Sequence, residues 1–466
     1  MDRLAGPSRP ITLARLTRFA RGGPPTMRIG ARALSGGLDE HVVHAVLDLA
    51  LRLGEGLLSL GAAAQDVTGA MRRVVEAFGL TGCHLDMTYS AITISYDPGP
   101  PQHPMTLLRV VQAKASDYGR LALVTRLVDD LGATPVPPEA AHERVARAHA
   151  DFERIIASPH PYKRWVVTLA LSFMAAAVAI LLGGGIAVAL VAGATTALSD
   201  RAIVFLGRHG IPPFFLQVVG AAIATAVAVG LHLAMPYLKW DVTQLPPSLV
   251  VASGIVVLVA GLQLVGAAED AISGFPVTAG GRVFDTLLHT LGLVVGIGVV
   301  LDVAQRFGMP LQIIDQPPNT TAMVVRLVCA LAIAGAWAVA CYARPTAALA
   351  SGVAGLVGWG TYTLAGAVGI GGAVASAVAA FVVGVGAQIV GRRIRIPSMV
   401  IAICGITPLL PGLAIYRGLF LLVQEGGAGG GVILLGAALT GMALASGVTL
   451  GETVVELAGR RRPRRA

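Results

Sequence analysis

The sequence predicts an α-helical polytopic membrane protein, with about ten transmembrane helices as two inverted five-helix repeats and a small N-terminal α/β cytoplasmic domain. Three observations carry this prediction. The composition is 55% hydrophobic and only 13% charged, against roughly 25% charged residues in soluble domains. The charges concentrate before residue 160, and nearly everything from Trp165 to Val455 is apolar. One short apolar phrase also occurs twice, beginning at Leu258 and at Leu409.

The N-terminal part divides into a tail and a domain. Residues 1–38 carry many arginines, a single acid and no apolar run long enough for a signal peptide, which predicts a disordered basic tail. From residue 39 the apolar residues Val42, Val46 and Leu49 recur on one helical face, whereas residues 83–96 alternate as a strand does. We therefore predict a soluble cytoplasmic α/β domain over residues 39–158.

The membrane part contains ten apolar runs. A helix needs about 20 apolar residues to cross the hydrocarbon core. Asp200 and Arg201 interrupt the second run, so eight spans remain an alternative to ten. The first repeat covers 165–304, the second covers 321–453, and 454–466 is a basic tail. The runs lie at 165–183, 185–206, 212–235, 247–268, 282–304, 321–342, 346–365, 368–390, 398–422 and 429–453.

The basic residues predict the orientation. The net charge of +9 comes from the two tails and from alternate loops, including Arg208, Arg344 and the 391–397 loop. Loops at 236–246 and 305–320 contain few basic residues and are therefore predicted to face outside. Because cytoplasmic loops carry an excess of Lys and Arg, we predict a multi-pass protein of the plasma or inner membrane with both termini in the cytoplasm.

The repeated phrase predicts a transporter. Leu258, Gly261 and Leu262 align with Leu409, Gly412 and Leu413, and the two copies end spans four and nine. An odd number of spans in each set makes the second set enter the membrane from the opposite side. Inverted repeats with interrupted helices at matching positions mark many secondary transporters, whose substrate lies near the interruptions.

The first copy is followed by ionisable residues. Charged groups inside a bilayer are costly and usually face a cavity or each other. A desolvated carboxylate near an imidazole can pass protons at neutral pH. We predict a path for protons and for the substrate ammonium here, although Glu269 and Arg282 also fit a solvated loop. The candidate residues are Glu269, Asp270, Ser273, Gly274, Arg282, Asp285, His289 and Asp302.

The second copy contains prolines in the middle of span nine. Pro408 and Pro411 each remove a backbone donor and open the helix. The amides at the start of the following half-helix suit a carboxylate, so we predict that Pro408, Pro411 and Gly412 hold the substrate carboxylate. Arg417 follows and either contacts the same carboxylate or extends outward to solvent.

These residues resemble the threonine/serine exporter family over about residues 40–455. The family's first half has an acid followed by an "SG…G…R" loop, which is similar to Asp270, Ser273, Gly274 and Gly281–Arg282. Its second half has "PLVPG", which is similar to "PLLPG" at 408–412. Where the family often has proline-glycine in the first half, this chain has Ala260-Gly261, so we expect a less broken helix there. The resemblance implies proton-coupled efflux of small amino acids, and a related split form implies export of dicarboxylates such as succinate.

The function predicted is secondary active export of a small polar metabolite, most directly threonine or serine by proton antiport. The alternatives are a dicarboxylate exporter and a channel or sensor with a ligand-reading soluble domain. The sequence has no Walker-type, HExxH or GxSxG motif and no metal-type cysteine spacing, so neither an enzyme nor a cofactor or metal is predicted. The expected partners are the substrate, protons and membrane lipid, without nucleic acid; a homo-oligomer is left open.

Overall fold

The computed structural model describes residues 38–99, 103–111, 116–238, 247–256, 258, 261–307, 321–425 and 428–460. Most of the predicted basic N-terminal tail lies outside these residues, as does the end of the C-terminal tail from residue 461. Most of the 236–246 and 305–320 loops, which were predicted to face outside, also lies outside them.

The N-terminal region combines a small sheet with four helices. Its elements are α1 (Glu40–Ser59), α2 (Ala64–Ala77), β1 (His84–Met87), β2 (Ala91–Tyr96), β3 (Met105–Val110), α3 (Tyr118–Gly132) and α4 (Pro138–Ala157). The strands are antiparallel in the order β1-β2-β3. Every second residue of β2 is buried, because successive side chains of a strand point to opposite faces. The buried face packs against α1, which contacts both β2 and β3.

The rest of the chain is helical. The elements are α5 (Arg164–Leu181), α6 (Ile186–Arg208), α7 (Pro213–Leu238), α8 (Pro247–Val256), α9 (Gly261–Ile272), α10 (Pro276–Arg306), α11 (Met323–Ala340), α12 (Pro345–Ala367), α13 (Gly372–Ile394), α14 (Ser398–Ile406), a 3-10 turn (Thr407–Leu409), α15 (Gly412–Glu425) and α16 (Ala428–Arg460). In the described part of the chain, seven helices are long and apolar enough to cross a membrane: α5, α6, α7, α10, α11, α13 and α16. The protein is therefore a multi-pass helical membrane protein.

Helix α6 continues through the charged pair that the sequence analysis regarded as an interruption. Asp200 is buried, forms an ion pair with Arg164 of α5 and accepts a hydrogen bond from Thr168 at 2.6 Å. Arg201 donates to the Thr168 hydroxyl at 2.7 Å. A buried charge is tolerated when it is paired and hydrogen-bonded, which explains why the helix runs unbroken to Arg208.

Each copy of the repeated phrase contains a glycine at which a helix begins. Helix α14 ends at Ile406, the 3-10 turn follows, and α15 begins at Gly412. In the first repeat α8 ends at Val256 and α9 begins at Gly261. The expectation of a less broken first helix rested on Ala260, which lies outside the described residues. Between α8 and α9 the structure describes Leu258, whose N–H donates to Ile255 O at 2.8 Å, as in a turn.

The N-terminal region covers one side of the helices. Tyr118 N–H donates to Cys341 O at 2.8 Å, in the turn between α11 and α12. Arg126 Nε donates to Arg395 O at 2.9 Å, in the turn between α13 and α14. Thr278 at the start of α10 donates to Met87 O at 3.4 Å. We call this face of the helices the near side and the opposite face the far side.

Candidate functional site

A cavity of about 370 Å³ lies beside the break between α14 and α15. Helices α5, α11, α12, α13 and α16 contribute the rest of its wall. Pro408, Pro411 and Gly412, the residues predicted from the second phrase, all line it. Among the residues that the structure describes, those lining the cavity are uncharged, and the polar ones include Ser376, Thr407 and Thr440.

Two helices begin at this cavity. The first helical hydrogen bond of α15 runs from Ile415 N to Pro411 O at 2.9 Å, and that of α13 runs from Ala375 N to Gly371 O at 2.9 Å. The amides that precede these bonds have no carbonyl within their own helix. A helix N-terminus carries a partial positive charge and binds anions. The start of α15 at Gly412 and the start of α13 at Gly372 therefore give the cavity an electropositive end made of backbone.

Aromatic side chains form another part of the cavity wall. Trp359 and Tyr362 of α12 have ring centroids 5.7 Å apart, and Trp337 of α11 lines the same space. The sequence analysis missed these residues. A signal was present, because the chain has only four tryptophans and two of them lie inside apolar helices rather than in the interfacial position that membrane tryptophans prefer.

The ionisable residues after the first phrase lie elsewhere, at the near side. Asp270 is 0% exposed. Its Oδ2 lies 3.1 Å from Arg282 Nε, and its Oδ1 accepts a hydrogen bond from the Ala64 N–H at 2.9 Å. Arg282 also donates to Ala62 O at 3.1 Å. Because Ala64 begins α2, Asp270 places a negative charge at that helix N-terminus, and the pair joins the N-terminal region to α9 and α10.

Arg282 crosses the surface of α9 at a glycine. A Cβ atom added to Gly266 would lie 2.7 Å from Arg282 Nη1, so a side chain there would displace the guanidinium from its present position. The structure also differs from the sequence expectation at the start of span five. Helix α10 begins at Pro276, which makes Arg282 part of the helix. Proline is favoured in the first turn of a helix, where its missing N–H is not needed.

Further carboxylates surround this junction. Glu269 lies within electrostatic range of Asp66, Asp270, Glu452 and Arg282. Asp66 belongs to α2, whereas Glu452 and Glu456 belong to α16. The sequence analysis missed these three because they become neighbours only when α2, α9 and α16 meet. We call Asp66, Glu269, Asp270, Glu452 and Glu456 the near-side acidic group.

The pKa of Asp66 is raised to about 6. The largest cause is the loss of bulk water around its carboxylate, which favours the neutral form. Glu456 and Asp270 raise the pKa further, and Arg73 lowers it. The side chain is still reached by water in the structure, so it is able to exchange protons with the solvent.

The other predicted residues lie apart from the cavity. Gly274 has a φ of 89°, a left-handed conformation that favours glycine, in the turn that also contains Ser273. His289 Nδ1 lies 3.4 Å from Gln263 Oε1. Asp285 is half-buried on α10, and Arg417 is half-exposed on α15. Asp302 forms an exposed ion pair with Arg306 at 2.9 Å.

Comparisons with known proteins agree with the resemblance. A family described as "Putative threonine/serine exporter" matches residues 48–304, and "Threonine/Serine exporter, ThrE" matches residues 325–454. The boundary between the two matches falls between α10 and α11. No solved structure is significantly similar to the chain.

Two relatives are similar over most of their length. A "Threonine/serine exporter" of Corynebacterium glutamicum is 36% identical over 439 residues, which cover 93% of this chain and 87% of the relative. A "Probable threonine/serine exporter" of Mycobacterium tuberculosis (strain ATCC 25618 / H37Rv) is 37% identical over 430 residues, covering 90% and 78%. The chain thus belongs to the threonine/serine exporter family of membrane export transporters.

Proposed function

We propose that this protein exports threonine and serine by secondary active transport coupled to proton antiport. The observation that carries the proposal is the uncharged cavity at the break between α14 and α15, in a chain that belongs to an exporter family. A cavity lined by hydroxyl, aromatic and apolar groups, with two helix N-termini beside it, suits a small polar zwitterion. The names of the two relatives give the substrates.

We propose ten membrane spans. Seven of the described helices are apolar and long enough to cross alone. Helix α12 and the broken helices α8–α9 and α14–α15 would supply the other three. The near-side turns at 273–275, 341–344 and 395–397 each contact or adjoin the N-terminal region, which fits helices that alternate in direction. We propose that residues 39–158 form the cytoplasmic α/β domain, because Arg344 and Arg395 lie in the near-side turns and Arg393 lies in the last turn of α13 beside one of them.

The packing of the helices supports two inverted repeats, α5–α10 and α11–α16. Helix α5 packs on α6 as α11 packs on α12, and α7 packs on α10 as α13 packs on α16. Helix α8 contacts α5, α6 and α7, and α14 contacts α11, α12 and α13. Across the two halves, α5 packs on α11, α9 on α16 and α15 on α10. This is the pattern that a two-fold axis relating the halves would produce.

Close approaches between the backbones of neighbouring helices recur at corresponding positions of the two halves. A Cβ atom on Gly193 would lie 3.1 Å from Ser172 O, and one on Gly352 would lie 3.1 Å from Leu331 O. The number of residues from Gly193 to Gly352 is the same as the number from Ser172 to Leu331. A similar pair of contacts involves α10 and α16. A Cβ on Gly296 would meet Val218 O of α7, and one on Gly447 would meet Ala377 O of α13. Val218 and Ala377 follow the displacement of Gly193 and Gly352, whereas Gly296 and Gly447 follow that of Gly261 and Gly412.

We propose that protons and substrate use different parts of the molecule. The electropositive helix starts beside Pro411 and Gly412 would receive the substrate carboxylate. The near-side acidic group, with Asp285 and His289 on α10, would carry the protons. A coupled exporter needs groups that exchange a proton when substrate leaves, and clustered carboxylates favour proton binding because like charges disfavour ionisation. Ser273 and Gly274 would form the turn on which α9 and α10 move.

Transport by the purified protein in liposomes tests the proposed function. An imposed pH gradient should drive radiolabelled threonine and serine against their concentration gradients, and a protonophore should stop this transport. Succinate should not be transported. Uphill succinate transport would establish the dicarboxylate alternative, whereas equilibration that ignores the pH gradient would establish a channel. Because exchange of a proton for a net-neutral zwitterion moves one positive charge, a membrane potential should also drive it. Uphill transport that the pH gradient does not affect at zero membrane potential would overturn proton antiport.

A further inference from the structure

We infer that the cavity binds its amino acid as a net-neutral zwitterion, with the ammonium held against the aromatic side chains of Trp359, Tyr362 and Trp337. This inference rests on the proposed function and specifies how the site recognises its substrate. It differs from the expectation that a carboxylate such as Asp270 or Asp285 receives the ammonium. Neither residue is among those that line the cavity.

The charge of the cavity wall decides which ligands it accepts. Burying an ionised group without a partner is costly. A dicarboxylate would bring two negative charges, and the lining residues within the described chain offer no cationic side chain to either. A zwitterion brings opposite charges that partly compensate each other. The wall therefore favours an amino acid whose side chain is neutral and disfavours a dianion.

The aromatic wall suits the ammonium end. A cation within about 6 Å of an aromatic ring centroid is attracted by the ring quadrupole, most strongly for tryptophan. The Trp359 and Tyr362 centroids are 5.7 Å apart, so one ammonium is able to contact both rings. Cation–π contacts strengthen when they are desolvated, as they are in a cavity between helices.

The carboxylate end lies close to the aromatic end. A Cβ atom on Gly372, the first residue of α13, would lie 3.9 Å from the Tyr362 hydroxyl. The electropositive start of α13 is therefore adjacent to the aromatic wall, and the two ends of one amino acid would span them.

Equilibrium binding to two variants of Trp359 tests the inference. Trp359→Leu should weaken threonine binding roughly threefold to thirtyfold, which is the range expected for a lost cation–π contact. Trp359→Phe keeps a ring, so it should weaken threonine binding less. This second variant keeps the inference testable if the leucine variant does not fold. The matched control is Trp165→Leu, because Trp165 is exposed on α5 and does not line the cavity.

Two analogues test the ammonium and carboxylate ends of the substrate separately. Threonine methyl ester keeps the ammonium, and 3-hydroxybutyrate lacks it. Trp359→Leu should weaken competition by the ester and leave competition by 3-hydroxybutyrate unchanged. If the wild type transports threonine but Trp359→Leu and Trp359→Phe bind it with wild-type affinity, the inference is overturned while the proposed function stands. If the wild type transports neither threonine nor serine, the proposed function itself fails.

A charge added to the cavity gives an independent test. Thr440→Lys places an ammonium in the wall, so it should weaken threonine binding and allow succinate to bind. The wild type should bind no succinate under the same conditions. Succinate binding by the wild type, or unchanged selectivity in a folded Thr440→Lys protein, would show that the neutral wall does not set the specificity.

Discussion

The two copies of the repeated phrase lie at aligned positions of the sequence but lead to different chemistry. Helices α9 and α15 both begin at the glycines that align in the sequence, Gly261 and Gly412. The first break leads to the near-side acidic group and to the contact with the N-terminal region, whereas the second opens on an uncharged cavity. In the proposed two-repeat fold these would be equivalent scaffolds, to which the side chains would give separate tasks.

Equivalent positions show how the chemistry diverged. In the register that pairs Gly261 with Gly412, Gly266 corresponds to Arg417, and His289 corresponds to Thr440. Gly266 leaves room for Arg282 to cross α9, and Thr440 lines the cavity. The two halves therefore differ at both positions, with glycine against arginine at the first and histidine against threonine at the second.

The largest expected effect comes from removing the cation at the first break. Arg282→Ala would leave the buried carboxylate of Asp270 without its ion-pair partner, and breaking a buried pair in this way costs about 3–5 kcal/mol. We expect a lower melting temperature in detergent and greater protease sensitivity of the N-terminal region. Arg306→Ala is the matched control, because its pair with Asp302 is exposed and such pairs contribute little. Equal losses in both variants would show that the near-side pair is not a structural link.

A smaller effect should follow from repairing the second break. Pro411→Ala restores a backbone N–H and allows α14 and α15 to join, which withdraws the helix start from the substrate. The loss of one charge-assisted hydrogen bond costs about 1.5–3 kcal/mol, or roughly tenfold to a hundredfold in affinity. Threonine binding measures this change.

Pro345→Ala is the control for this substitution. Pro345 stands at the start of α12 on the near side, where a proline replaces no hydrogen bond, so threonine affinity should stay at the wild-type value. An unchanged affinity in Pro411→Ala would mean that the break does not bind the carboxylate.

The smallest effect concerns Asp66 and depends on pH. A pKa raised to about 6 from 3.8 means that the folded protein binds this proton more tightly than the unfolded chain. The contribution of Asp66 to stability is therefore favourable at low pH and is lost as pH rises from about 4 through about 6. Asp66→Asn removes this dependence, so the melting temperature of the variant relative to that of the wild type should rise between pH 4 and pH 7. Glu139→Gln, at the exposed start of α4, should show no such trend. A constant difference for Asp66→Asn would refute the raised pKa.

Local features were predictable from the sequence, and long-range contacts were not. The apolar runs locate the helices because length and composition are local properties, and the glycine of the phrase marks the first residue of both α9 and α15. The capping of α2 by Asp270 joins residues far apart in the chain, and no periodicity encodes it. That Trp337 and Trp359 line one cavity likewise depends on how α11 packs against α12.

The separation of proton and substrate sites is tested most directly by Asp285→Asn. The substitution keeps size and hydrogen bonding but removes titration, and Asp285 does not line the cavity. Threonine binding and pH-driven threonine transport should be measured on the same purified variant, with Asp302→Asn as the control. We predict wild-type binding affinity together with loss of pH-driven transport, while Asp302→Asn keeps both. Loss of binding, or transport with an unchanged pH dependence, would contradict the separation.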